Sequence, residues 1–203
     1  MKNNATVFVV DDEVEVRESL RWLIESIDLN VKTFASAEEF LASYNPDRPG
    51  CAVLDMRMPE VSGLELQKKL KAKGIALPLI FITGFGSVPI AVEALKMGAV
   101  DFMEKPFSDQ ALLDKIHHAL EIDRQTRLKK SRNENVSARV KDLTSREKEI
   151  MDLVVQGKAT KRIAVQLGIS PKTVEAHRAR VMQKMKADSI ADLVRSAMSA
   201  NLS

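Results

Sequence analysis

Short apolar runs and amphipathic stretches alternate along the first 120 or so residues. Thr6 to Val10 (TVFVV) is β-branched and ends at Asp11-Asp12-Glu13. After it Val14, Leu20, Leu23, Ile24 and Ile27 recur at near-helical spacing, with Trp22 beside them. Val31 to Phe34 is the second run, followed by a helical stretch from about Ser36 to Ser43 in which Ser36 and Glu39 have capping-box spacing. Cys51 to Leu54 and Leu79 to Ile82 are the third and fourth runs, trailed by helical patterns at about 63–73 and 88–97. A weaker strand, Val100 to Met103, precedes a helix beginning near Asp109. Five strands alternating with five helices predict an α/β fold, a doubly wound five-stranded parallel sheet.

Residues 123–142 are polar, basic and free of Pro and Gly, and read as helix to about Leu128, then a flexible stretch near 132–135. Beyond them the period is helical throughout. Thr144 and Glu147 form a second capping box, and Ile150, Leu153 and Val154 make an apolar stripe up to Gly157. Thr160 opens a short helix closed by Gly168; Ser170 caps the next, with Pro171 in its first turn. Val174, His177, Val181 and Met185 fall on one face of that helix, and a further helix near 189–200 completes an all-α, four-helix unit with a helix-turn-helix at its centre. The predicted organisation is thus 1–122, a linker over 123–139 that can extend the fifth helix, and 140–203.

Composition sharpens this division. A chain of 203 residues suits one large or two small domains, and 45% hydrophobic with 29% charged residues is ordinary for globular protein. The net charge of +3 hides an asymmetry: residues 1–122 hold 13 Lys and Arg against 19 Asp and Glu, the remainder 18 against 9. An acidic half joined to a basic half implies different partners, nucleic acid for the basic one. With aromatics at 4%, stacking platforms for single strands are not expected. One cysteine and three histidines without ligand spacing exclude an intramolecular disulfide and argue against a zinc enzyme. The longest apolar runs, such as Leu77 to Ile82, fall far short of the roughly 20 residues of a membrane span. No leader pattern is visible, so a cytoplasmic protein without a membrane partner is expected.

The chemistry gathers where a doubly wound sheet puts it, at the carboxyl ends of the strands. Asp11 and Asp12 close the first strand, Asp55 the third and Thr83 the fourth, while Lys105-Pro106 lies just beyond the fifth. Carboxylates brought together repel unless a cation or proton compensates them, and Mg²⁺ suits such hard oxygen donors. Each residue alone has a plainer reading: a helix cap for Asp11-Asp12, turn residues for Asp55 and Thr83, a solvated lysine at a bend for Lys105. Their joint placement at successive strand ends favours a site.

The segments VFVVDDE, VLDMRMPEVSG, FITGFGSVPIAVEALKMGA and DFMEKPF closely resemble the receiver domain of two-component response regulators, a flavodoxin-like fold, over about residues 5–122. The resemblance implies that Asp55 accepts a phosphoryl group from a histidine kinase. Asp12, Asp55 and the backbone carbonyl of Arg57 would then bind Mg²⁺ (or Mn²⁺), with Asp11 acting through water. It makes Thr83 and Phe102 a switch pair, Lys105 a phosphate contact often followed by a cis peptide, and Arg57 and Phe85 flanking residues. Val88, Ile90, Val92 and Lys96 become candidates for a pairing surface on the fourth helix.

LTSREKEIMDLVVQG, KRIAVQLGIS and KTVEAHRARVMQKM resemble the LuxR-type DNA-binding domain over about residues 140–202, with recognition helix 171–185. On that basis Lys172, Glu175, Ala176 and Ala179 lie nearest base edges, and Thr160, Lys161, Thr173, Arg180 and Lys184 nearer phosphates. His177 reads as a packed histidine. The order of domains resembles the FixJ/NarL class, on the FixJ side. It implies a promoter-binding transcription regulator, most simply an activator, that pairs as a homodimer when phosphorylated and works with RNA polymerase. Beyond accepting and slowly losing its own phosphoryl group it would not be an enzyme. Two rivals stay open: a metal-dependent phosphatase, disfavoured because Asp55-Met56-Arg57 lacks a second acid, and a receiver that docks partners without phosphorylation. Cys51 reads as a buried strand residue, His117 and His118 as solvated helix positions.

Overall fold

The computed structural model describes residues 5–84 and 88–200, and the chain divides into two compact units, 1–126 and 127–203. In the first unit β1 (Thr6–Val10), β2 (Asn30–Phe34), β3 (Gly50–Asp55), β4 (Leu79–Thr83) and β5 (Asp101–Glu104) form one sheet in the order β2-β1-β3-β4-β5. All neighbours are parallel. Between them run α1 (Val14–Glu25), α2 (Ala37–Ser43), α3 (Gly63–Ala72) and α4 (Val88–Lys96), with α5 (Asp109–Lys141) after β5.

The β-branched runs are strands because both of their faces are covered. Phe8, Val10, Ala52, Leu54 and Phe81 point into a core shared with Phe40, Leu66 and Ala94. The alternate residues Val7, Val9, Cys51, Val53, Ile80 and Ile82 point into a second core with Leu20, Ile24, Leu112 and Ile116. This explains why the strands read as continuous apolar runs rather than alternating ones. The aromatic corner of the first core, Phe8 with Phe40 and Tyr44, is edge-on, with ring centroids 5.8 and 5.4 Å apart.

Local signals agree in kind with these elements. Ser62 and Glu65 form a capping box on α3. At α2 the Ser36 hydroxyl accepts from the Glu39 N–H, but the Glu39 carboxylate takes the N–H of Ala35, so the expected box is displaced by one residue. On α1, Leu20 and Ile24 are buried while Trp22 is 75% exposed. Gly63 is required by proximity: a Cβ there would lie 2.3 Å from the Asp55 carbonyl oxygen.

The expected flexible stretch near 132–135 is absent; α5 is helical from Asp109 to Lys141. Its polar surface conceals the helix signal, but ion pairs at helical spacing, Glu121–Arg124 at 2.7 Å and Lys130–Glu134 at 3.9 Å, each add a small increment of helix stability. Its Val136 is buried in the core of the second unit.

That core gathers Leu143, Ile150, Leu153 and Val154 with Ile163, Val174, Val181, Met185 and Leu193. The helices are α6 (Ser145–Val155), α7 (Thr160–Leu167), α8 (Pro171–Met185) and α9 (Ile190–Ala200). Thr144 and Glu147 complete the capping box of α6. Gly168, with φ +64°, ends α7 in the left-handed region and turns the chain toward Ser170, whose hydroxyl accepts the Thr173 N–H at 3.0 Å. A truncation such as Ile150→Ala, at a position with no exposure, removes about 2–5 kcal/mol of this packing.

Candidate functional site

The order β2-β1-β3-β4-β5 reverses direction between β1 and β3, so a crevice opens beyond the ends of those two strands. Asp11 and Asp55 sit there. Asp11 is 1% exposed; its Oδ1 accepts the Glu13 N–H at 2.9 Å, and its carbonyl accepts from the Arg17 guanidinium at 2.6 Å. Asp55 is 6% exposed and accepts the Arg57 N–H on Oδ2 at 2.6 Å. Between them stands Lys105, its Nζ 3.1 Å from Asp11 Oδ2 and 3.2 Å from Asp55 Oδ1.

Backbone pairing delivers that lysine. The Lys105 N–H donates to the Thr83 carbonyl at 2.7 Å, and the Lys105–Pro106 peptide is cis. Thr83 is buried at the end of β4. Phe102, paired with Phe81 across β4 and β5, is half-buried against the first core. Asp12 and Arg57 lie at the exposed rim, and Phe85 lies outside the described residues.

The electrostatics follow from crowding. Burial pushes the Asp55 carboxyl above its ordinary pKa; the Arg57 N–H and the Lys105 charge pull it back, while Asp11 adds repulsion. For Lys105, burial opposes its charge, but Asp11 and Asp55 outweigh that and raise its pKa. The ammonium thus holds the place where positive charge is needed. Among the described residues no three His, Cys, Asp or Glu side chains form a preformed metal cluster. The arrangement offers a buried, electrically compensated carboxylate beside a cation and a hydroxyl-bearing side chain.

The second unit presents α8. Val174, Val181 and Met185 are buried, whereas Lys172, Thr173, Glu175, Ala176, Ala179 and Arg180 are exposed, as is Lys161 on α7. Thr160 is half-buried and accepts from Arg178 at 2.6 Å, joining the start of α7 to α8. His177 is half-buried, with its Nδ1 enclosed and without a hydrogen-bond partner.

Lys184 departs from its expected place among phosphate contacts. Its Nζ lies 2.6 Å from Glu147 Oε2 and 3.2 Å from the Asp142 carbonyl. That ion pair, with the Thr144 N–H, lowers the carboxyl of the buried Glu147 to about 2. The capping-box spacing announced Glu147, but nothing in one helix's periodicity announces a lysine arriving from another. The Arg178–Thr160 and Arg17–Asp11 contacts were missed for the same reason. On α4, Val88, Val92 and Leu95 are exposed and so is Lys96, but Ile90 packs inward.

Comparisons with known proteins agree with both halves. Residues 7–117 match the response regulator receiver domain, and 141–197 match the bacterial regulatory proteins of the luxR family. The transcriptional regulatory protein TdiR of Thauera aromatica is 46% identical over 95% of this chain and 85% of its own length. The transcriptional regulatory protein FixJ of Azorhizobium caulinodans is 45% identical over 100% of this chain and 96% of its own. The solved structure of the response regulator StyR is 42% identical, covers 97% of this chain and 99% of its own, and superposes with a TM-score of 0.87. The chain belongs to the FixJ-like two-component response regulators, transcriptional regulators in which a receiver domain precedes a LuxR-type DNA-binding domain.

Proposed function

We propose that phosphoryl transfer from a cognate histidine kinase to Asp55 controls dimerisation and promoter binding by this chain, and through them transcription, as an activator. The observation that carries this reading is Lys105 placed within hydrogen-bond reach of both Asp11 and Asp55 at the strand ends. An Asp55 oxygen attacks the phosphorus of a phosphohistidine. The P–N bond breaks as the P–O bond forms, and the imidazole leaves with the electron pair. Lys105 then turns from the carboxylates to the phosphoryl oxygens, and the Thr83 hydroxyl donates to them.

The residues present fit a hard cation, because the ligands that Asp11, Asp12, Asp55 and the Arg57 carbonyl can offer are all oxygens. Asp12, Asp55 and the Arg57 carbonyl would hold it, with Asp11 acting through water. When bound, Mg²⁺ (or Mn²⁺) supplies charge compensation between the carboxylates and the incoming phosphoryl oxygens. The chain is a stoichiometric acceptor that slowly hydrolyses its own phosphoryl group, not a turnover enzyme.

Movement of Thr83 toward the phosphoryl group makes room for Phe102 to rotate inward, which reshapes the surface of α4 and β5. Two copies then join there, with Val88, Val92 and Leu95 as exposed apolar contacts. Joining two α8 readers raises affinity for paired half-sites without any new DNA contact. Lys172, Glu175, Ala176 and Ala179 read bases, while Thr160, Lys161, Thr173 and Arg180 hold the backbone. The bound dimer engages RNA polymerase in the cytoplasm.

The test treats wild type and Asp55→Asn with beryllofluoride and Mg²⁺, then measures molecular mass and affinity for randomised duplexes. Wild type alone is expected to dimerise and select a sequence. Equal DNA binding by both proteins, with or without the mimic, would favour a phosphorylation-independent regulator.

A further inference from the structure

Arg178 follows Val174 by one helical turn and precedes Val181 by another, so it belongs to the face of α8 that packs into the core of the second unit. The periodicity calls for an apolar side chain there, yet a half-buried arginine occupies the place. It lines a hollow with Ile150, Val154, Val181 and Leu193, a surface that suits a methylene stem whose head reaches a polar partner. That partner is Thr160 at the start of α7: Arg178 Nη1 donates to Thr160 Oγ1 at 2.6 Å. Ala159 supplies no side-chain cap to α7, which leaves the Arg178 bond to tie that helix start to α8. Among the described residues, Thr160 gives its own hydroxyl proton to no protein group. A hydroxyl that accepts from a guanidinium is polarised, so its remaining proton is the stronger donor. Phosphate oxygens accept such protons from threonine hydroxyls.

We propose that Arg178 is a positioning residue for DNA-backbone binding: it aims the Thr160 hydroxyl, and with it the start of α7, at a phosphate without touching the DNA itself. This rests on the reading above that Thr160 and Lys161 hold the backbone. Division of labour follows from chemistry. The exposed Lys161 supplies charge, and Thr160 supplies a directed hydrogen bond that Arg178 strengthens from behind. An arginine that contacted phosphate directly would neutralise a charge and release counterions; one that acts through a neutral hydroxyl would not.

The experiment titrates a labelled mixed-sequence duplex with the full-length protein, treated with beryllofluoride and Mg²⁺, and follows fluorescence anisotropy at several salt concentrations. Arg178→Met keeps an apolar stem for the hollow and loses the donor; circular dichroism melting checks that it is folded. It should lower affinity about two- to tenfold, the worth of one hydrogen bond. Its salt slope should change less than that of Lys161→Ala, which removes a phosphate contact. Thr160→Val should show the same loss, and Thr160→Ser should recover wild-type affinity. The double variant, Arg178→Met with Thr160→Val, should bind no more weakly than either single one, because both changes break one unit. Unchanged affinity in folded Arg178→Met, a fall in slope equal to that of Lys161→Ala, or losses that multiply in the double variant would overturn the proposal. If Lys161→Ala weakens binding while Arg178→Met does not, only the role of Arg178 fails; if neither variant matters, the backbone-facing reading of α7 fails with it.

Discussion

Asp55 is stabilised by its neighbours only in part, and that has a measurable sign. Its folded pKa lies above the ordinary carboxylate value because burial outweighs the Arg57 N–H and the Lys105 charge. Folding therefore loses stability as pH rises from the ordinary value through the raised one, and the loss is complete above it. Asn at this position cannot ionise. Asp55→Asn is expected to unfold at a higher temperature than wild type at pH 7 without Mg²⁺, with the difference vanishing in acid; calorimetry across pH checks both. Asp11, Asp55, Thr83 and Lys105 were legible beforehand because strand ends are marked by where apolar runs stop. Arg17 and the backbone N–H of Glu13, which fix Asp11, were not, because their partners are set by how the loop after β1 turns.

At the scale of elements, α6 and α8 are locked by Glu147. Its carboxyl is held at about 2, first by Lys184 and then by Thr144, so its contribution is full above the ordinary value near 4.5 and fades as pH falls toward 2. Glu147→Gln should be less stable than wild type at pH 7 and converge with it over that window, as followed by circular dichroism of the helical signal. Ser170 holds the start of α8 through its hydroxyl, which accepts the Thr173 N–H and also bonds the Thr173 hydroxyl at 2.8 Å. Ser170→Ala should cost about 1 kcal/mol in chemical denaturation. Helix ends of this kind are readable from Ser, Thr, Gly and Pro, and α8 starts where Ser170 and Pro171 place it, whereas α7 starts after Ala159 without a side-chain cap. The extension of α5 beyond Leu128 was hidden because that part is polar and has no apolar stripe; it is supported by side chains paired along its own surface and by Val136 in the core of the second unit.

The whole molecule is an acidic half followed by a basic one, so the two halves are expected to respond differently to salt. DNA affinity should fall linearly with salt on logarithmic axes as counterions are released. If Lys172 reads a base edge, Lys172→Ala should lower specific affinity by about 1–3 kcal/mol and relax sequence choice; if it touches only phosphate, it should chiefly reduce the salt slope by about 1. Fluorescence anisotropy with labelled duplexes separates the two. Which half binds nucleic acid was readable from charge and motif together. That Lys184 is paired with Glu147 was not, because that partner lies 37 residues away in sequence.

The exposure of Trp22 also determines what this protein looks like optically. It is the chain's single tryptophan, and three-quarters of its surface meets water in the folded state. Its native emission should already be that of a hydrated indole, quenchable by iodide, and heating through the unfolding transition should move the maximum very little. Intrinsic fluorescence is thus nearly blind to this protein's unfolding, yet a macromolecule that covers the outer face of α1 should shift the same signal to the blue and shield it from iodide.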